Sequence, residues 1–116
     1  MIENRKFIRL RAPLPVEYSL IKKHKKQRAF SSCIKNISIG GLSLIVKEPV
    51  RVGELIRIQI QVPYLEDAVC VVGDVVWASA TKDKHNPARE AGVRFQNVDP
   101  SDLNKILDYV YSVAIG

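Results

Sequence analysis

Two clusters in this sequence have residue types and spacing suited to binding chemistry. The first is Arg5-Lys6-Phe7-Ile8-Arg9, with Arg11 just beyond. Arginine carries a planar, permanently charged fork that grips phosphate, or the O6/N7 edge of guanine, through two parallel hydrogen bonds, and its flat face stacks on purines. Arg5 and Arg9 stand in a stretch with no apolar period of its own, so packing does not account for them. The second cluster is Asn36-Ile37-Ser38-Ile39-Gly40-Gly41. Asn and Ser supply short hydrogen-bonding groups at a turn, and glycine lets a ligand approach the backbone closely. Taken alone, this turn reads as a plain hairpin. Catalytic chemistry has little support. His24 sits in a lysine run and His85 in a polar stretch, with no Cys or Ser beside either, and the acidic pair Glu66-Asp67 follows Pro63 as part of a turn. No HExxH, GxSxG, phosphate-loop or carboxylate-rich metal spacing occurs. The expectation is a binding protein, not an enzyme, with no metal site and no resident cofactor.

The elements that must position these clusters follow from periodicity. Leu14, Val16, Tyr18 and Leu20 alternate with polar residues, which predicts a strand with one face inward. The charged run Lys22–Lys26 then reads as a hairpin loop. Phe30, Ser32 and Ile34 continue on a second strand ending near Ile37, and Gly40-Gly41 separates it from a third carrying Leu42, Leu44 and Val46. Ile56, Ile58, Ile60 and Val62 give the clearest alternation, closed by Pro63. Val69, Val71, Val75 and Trp77 share one face of a fifth strand with a bend expected at Gly73, and Ala91, Val93 and Phe95 mark a sixth after the polar loop 82–87. The period then changes. Leu103, Ile106, Leu107, Val110 and Val113 recur at helical spacing, with Asp99 placed to cap and Pro100 at the first helical position. Six short strands and one helix predict an all-β fold, an antiparallel barrel with a C-terminal helix closing one side. A barrel also removes the exposed edges that such Val- and Ile-rich strands would present.

Composition agrees. The chain has 116 residues, 47% hydrophobic and 26% charged, which is one ordinary globular domain. No apolar stretch approaches a membrane span and no basic-then-apolar leader is present, so no membrane insertion and a cytoplasmic location are expected. Cys33 and Cys70 lack zinc-type or redox spacing. The net charge of +6 is unevenly placed: residues 1–28 hold nine basic groups against Glu3 and Glu17, while the rest of the chain is near neutral. A basic front end on a neutral body concentrates anionic partners. The division expected is a flexible basic segment over residues 1–12 and a barrel over residues 13–116, with its helix at about 100–113.

Taken together and in this order, the two clusters resemble the paired signature of the PilZ family of bacterial cyclic di-GMP receptors, RxxxR followed a few tens of residues on by (D/N)xSxxG. Arg5 and Arg9 fill the first motif; Asn36, Ser38 and Gly41 fill the second. Gly73-Asp74-Val75-Val76-Trp77 and Gly92-Val93-Arg94-Phe95 are similar to the family's later strand pattern, so the resemblance runs over nearly the whole chain. It implies a six-stranded antiparallel split barrel that binds cyclic di-GMP, a second messenger, on its outer surface. By that resemblance Arg5 and Arg9 hold phosphates and guanine Hoogsteen edges, Asn36 and Ser38 bond a guanine and a neighbouring phosphate, and Gly41 keeps the floor clear. Lys6, Arg11, Gly40 and Trp77 are further expected ligand neighbours, although strand alternation places Trp77 inward as a core ring. Many family members carry an additional arginine directly before RxxxR; Asn4 stands there, which favours one ligand per domain unless Lys6 or Arg11 supplies the cation.

The expected mechanism is a switch. Two phosphates neutralise the arginines, draw the basic segment onto the barrel, and create a surface that a separate downstream effector protein reads. A monomer is expected rather than an obligate oligomer. Two other roles fit less well: a PilZ-like adaptor that binds proteins but no nucleotide, and a barrel for single-stranded nucleic acid. The intact signature speaks against the first. The second usually needs exposed aromatic platforms, whereas Tyr18, Phe30, Trp77 and Phe95 all fall on inward positions of the alternation, so no nucleic acid partner is expected.

Overall fold

The computed structural model describes residues 10–11, 13–23, 28–80 and 89–115. Seven strands and a helix follow in chain order: β1 (Leu10–Arg11), β2 (Pro15–Leu20), β3 (Phe30–Ile37), β4 (Gly41–Val46), β5 (Leu55–Ile60), β6 (Val69–Ala80), β7 (Arg89–Asn97) and α1 (Pro100–Ile115). Strands β2 to β7 pair antiparallel in the order β3-β2-β5-β6-β7-β4, and β4 pairs back onto β3, which closes a six-stranded barrel. This is the architecture the alternation predicts. The short β1 is additional. It lies on β3 beyond the end of β2, with Leu10 opposite Ile37 and Arg11 opposite Asn36. Residues 1–9 and 12, including Arg5, Lys6 and Arg9, fall outside the described residues, as do 24–27 of the lysine run with His24, and 81–88 with His85.

The barrel interior is filled by the alternating β-branched and aliphatic side chains, among which Ile37, Leu44, Ile56, Ile58, Ile60, Val71 and Val75 are completely buried. Each such side chain contributes about 1.5–3 kcal/mol by leaving water. Tyr18 sits among them, stacked on Phe30 with ring centroids 5.4 Å apart. Its hydroxyl accepts a hydrogen bond from the Lys47 backbone N–H at 2.6 Å, so the one polar atom of the ring is satisfied at the barrel wall. Burial raises the Tyr18 pKa above the ordinary phenol value.

Helix α1 begins as its sequence predicts. Asp99 Oδ1 accepts from the backbone N–H of Ser101 at 2.8 Å and of Asp102 at 3.3 Å, and from the Ser101 hydroxyl at 2.7 Å. These donors, the Ser101 hydroxyl foremost, hold the Asp99 carboxyl below its ordinary pKa. Leu103, Ile106 and Val110 turn inward to the core, and the helix packs beside β1.

Alternation is broken in three places. Lys35 is an extra residue on β3 between the pairs Ile34↔Leu44 and Asn36↔Ser43. Val76 is an extra residue on β6 between Val75↔Val93 and Trp77↔Gly92, and Gln96 is one on β7 beside Gly73, near the expected bend. A bulge of this kind puts two residues against one and resets which side chains face inward.

Candidate functional site

The two bulges on β3 and β6 turn two of the expected site residues, Asn36 and Trp77, outward. Continued from Ile34, strict alternation would aim Asn36 into the core; with Lys35 inserted, Asn36 stands on the outer face and Ile37 takes the buried position. The same reset corrects the placement expected for Trp77. Val75 is buried, but Trp77 pairs with Gly92, whose neighbours Ala91 and Val93 point inward, so both Trp77 and Gly92 belong to the outer face. The indole lies across Gly92: a Cβ there would stand 2.0 Å from Trp77 Nε1. Glycine at 92 is therefore the seat of the tryptophan. Trp77 is half-buried on the outside of the barrel and is not a core ring.

Register then assembles a row across the outer wall. Arg11 of β1 faces Asn36 of β3, Asn36 faces Ser43 of β4, Ser43 faces Gly92 of β7, and Gly92 faces Trp77 of β6. At the usual strand spacing of ~4.8 Å, Asn36 and Trp77 are about 14 Å apart along the wall. The sequence reading paired Asn36 with the basic segment by motif alone; the fold brings the end of that segment, Leu10–Arg11, alongside Asn36 and Ile37 by hydrogen-bonded pairing. Arg11 is exposed and Asn36 half-buried.

The turn joining β3 to β4, just beyond the Asn36–Ser43 pair of this row, is closed by its own hydrogen bonds. The Ser38 backbone N–H donates to Gly41 O at 2.8 Å, the Ser38 hydroxyl donates to the same oxygen at 3.3 Å, and that hydroxyl accepts from the Gly40 N–H at 3.3 Å. Gly40 O accepts from the Phe95 N–H at 3.0 Å, which ties the turn to β7. A Cβ on Gly41 would lie 2.1 Å from Val93 O, so only glycine lets β4 approach β7 at this point. Asn36, Ser38, Gly40 and Gly41 are thus brought together at one end of the barrel wall, while Arg5, Lys6 and Arg9 lie outside the described residues.

Two features escaped sequence reading. One row further along, Arg94 stands opposite Gly41 and beside Asp74. The guanidinium donates to both Asp74 oxygens, Nε at 3.2 Å and Nη2 at 3.0 Å, and Gln96 Nε2 donates to Oδ1 at 3.2 Å. Asp74 is 9% exposed. Lys35 on the same wall pairs with Glu90. Arg94 and Lys35 therefore have their charge met by carboxylates. The other feature is Ser43, buried between Asn36 and Gly92. Its only sequence signal was a polar residue between Leu42 and Leu44, which ordinary alternation explains. Among the described residues no group of three or more His, Cys, Asp or Glu side chains is placed to hold a metal, and no helix is long and apolar enough to cross a membrane.

No curated protein sequence matches the chain. Solved structures do. The chain is similar to the inhibitor of motility MotI/DgrA of Bacillus subtilis (20% identity, TM-score 0.69, covering 98% of this chain and 53% of that one). It is similar to the PilZ domain of Escherichia coli YcgR with c-di-GMP (20% identity, TM-score 0.66, 95% and 91%), and to MrkH of K. pneumonia in its c-di-GMP complex (15% identity, TM-score 0.70, 99% and 53%). The chain thus spans about half the length of MotI/DgrA and MrkH and nearly all of the YcgR domain. The sequence profile of the PilZ domain matches residues 3–112, from the basic leader to the C-terminal helix, and the chain is therefore a member of the PilZ domain family.

Proposed function

We propose that this chain is a cyclic di-GMP receptor whose site is the outer wall at the β3–β4 turn. The observation that carries this reading is the pairing of Arg11 with Asn36, because it sets the strand next in sequence to Arg9 beside the second half of the signature. In this reading Arg5 and Arg9 grip the phosphates and the guanine Hoogsteen edges, with Lys6 and Arg11 as supporting cations. Asn36 and Ser38 bond a guanine and the adjoining phosphate, Gly40 and Gly41 leave the backbone bare for close approach, and Trp77 offers an apolar face on the same wall. Support also comes from relatives of like fold, YcgR and MrkH, whose structures hold c-di-GMP.

The same reading extends to a switch. Neutralising the leader arginines with two phosphates favours their convergence on the barrel, and the covered surface is then recognised by a separate effector protein. Calorimetric titration with cyclic di-GMP, against GTP and a short oligonucleotide, tests the ligand. Saturable binding of cyclic di-GMP alone, at one per chain, is expected. Arg9→Ala should weaken it by about 1.5–3 kcal/mol, the worth of a charge-assisted contact; equal losses for all three anions would reduce the effect to unspecific charge. Hydrogen exchange tests the switch: added protection in residues 1–9 on ligand addition is expected, and unchanged exchange there removes it.

A further inference from the structure

Ser43 is 2% exposed, and its hydroxyl is the one buried side-chain polar atom without a hydrogen-bond partner among the described residues. A buried hydroxyl left unpaired costs stability, and native barrels seldom keep one without a use. Apolar alternatives fit a strand position here at least as well, since alanine would occupy the same space without the unmet hydrogen bond.

The surroundings narrow what that hydroxyl can serve. On the outer face Ser43 has four nearest neighbours: Asn36 across β3, Gly92 across β7, and Gly41 and Ile45 two positions away along β4. Two of these are glycines and one is aliphatic, so among these four described neighbours Asn36 is the one with a polar side chain. Directly opposed residues on paired strands hold their Cβ atoms about 4.5–5.5 Å apart, within reach of one rotamer change of an Asn side chain. On the other flank the Trp77 indole covers Gly92 with its Nε1 edge, a donor that makes no hydrogen bond to Ser43 Oγ; of the two flanks only the Asn36 carboxamide can supply either a donor or an acceptor.

We propose that Ser43 is a positioning residue for the nucleotide site: in the complex its hydroxyl hydrogen-bonds one end of the Asn36 carboxamide, so that the other end faces the nucleotide. This rests on the proposed function above. A carboxamide has a donor end and an acceptor end of nearly equal shape, and a free one presents either. Ser43 would hold it in one orientation, and the cost of its unmet hydrogen bond would be recovered only when Asn36 is committed to the ligand.

The test is cyclic di-GMP affinity by calorimetry, together with the thermal midpoint measured without nucleotide, for the unaltered chain, Ser43→Ala, Ser43→Thr, Asn36→Ala and the double variant Ser43→Ala/Asn36→Ala. Ser43→Ala should bind about three- to tenfold more weakly, the range of a single hydrogen bond, while its midpoint stays level or rises. Ser43→Thr, which keeps the hydroxyl, should bind within about twofold of the unaltered chain, and the double variant should bind no more weakly than Asn36→Ala. A lowered midpoint in Ser43→Ala makes the hydroxyl structural and overturns the proposal. So does unchanged affinity, or an equal loss on the Asn36→Ala background. If the unaltered chain does not bind cyclic di-GMP at all, the receptor reading falls as well; if it binds and Ser43→Ala binds equally, only the positioning role falls.

Discussion

The wall formed by β2 and β5 and the wall formed by β3, β4, β7 and β6 are built from similar residues but to different rules. Where β2 meets β3 and β5, and where β5 meets β6, register runs without a shift. Every second side chain there is buried, and the outer face carries scattered polar residues such as Glu17, Arg57 and Gln59. On the other side β3–β4 and β6–β7 each contain shifts, and the outer face holds a seated tryptophan, two glycines that admit no side chain, a buried carboxylate and a buried hydroxyl with no partner among the described residues. Unbroken pairing keeps strict alternation, so every inward position feeds the core. Interrupted pairing lets a strand present outward a residue that its own alternation would bury.

Substitutions on the two walls should separate these roles. The largest effect is expected on the regular side: Ile58→Ala removes a completely buried side chain from β5 and should cost about 2–5 kcal/mol in denaturant unfolding. Nucleotide affinity per folded molecule should stay unchanged; a matching loss of affinity would mean that the regular wall also belongs to the site. Gly41→Ala comes next, because its Cβ meets the backbone of Val93 and not a side chain that can swing away. About 1–3 kcal/mol of stability should be lost, this time together with affinity, as the β3–β4 turn is pushed off β7.

Asp74→Ala is expected to be milder. It takes away the acceptor for Arg94 and Gln96, but Arg94 is two-thirds exposed, so screening by water holds the loss to about 1 kcal/mol. Its value lies in charge: with Arg94 released beside Gly41, binding of an anionic ligand should strengthen or hold, and the salt dependence of the titration should steepen. The smallest effect lies on neither wall. Because hydrogen bonds lower the Asp99 pKa in the folded chain, its capping contribution is complete above the ordinary carboxylate pKa and fades as pH falls through the depressed value. Asp99→Ala should therefore lower the unfolding midpoint slightly at neutral pH, and the difference from the unaltered chain should vanish in strong acid.

Much of this was legible beforehand, for local reasons. Six strands declared themselves because inward and outward residues alternate within each strand, and Asp99-Pro100 marked the helix start because a cap needs only the residues next to it. The signature was legible by residue type. Trp77 was not: two residues from Val75 it belongs to the inward row, and only the pairing of Val76 and Trp77 against Gly92 turns it out. Ser43 was hidden in the same way, since a polar residue between two leucines reads as a solvated outward position until neighbouring strands bury it.

The amino-acid order by itself determined the six barrel strands, the helix, and the gathering of positive charge in the first 28 residues, while the two-residue β1 carries no such local signal. Tertiary structure alone decided that Arg11 lies against Asn36, that Asn36 and Trp77 face outward on one row, and that the Ser43 hydroxyl is enclosed without a partner among the described residues. The physical reason is that side-chain parity is a property of one strand, readable from its neighbours in the chain. Register and bulges are properties of two strands, settled only when segments tens of residues apart compete to bury their apolar faces together.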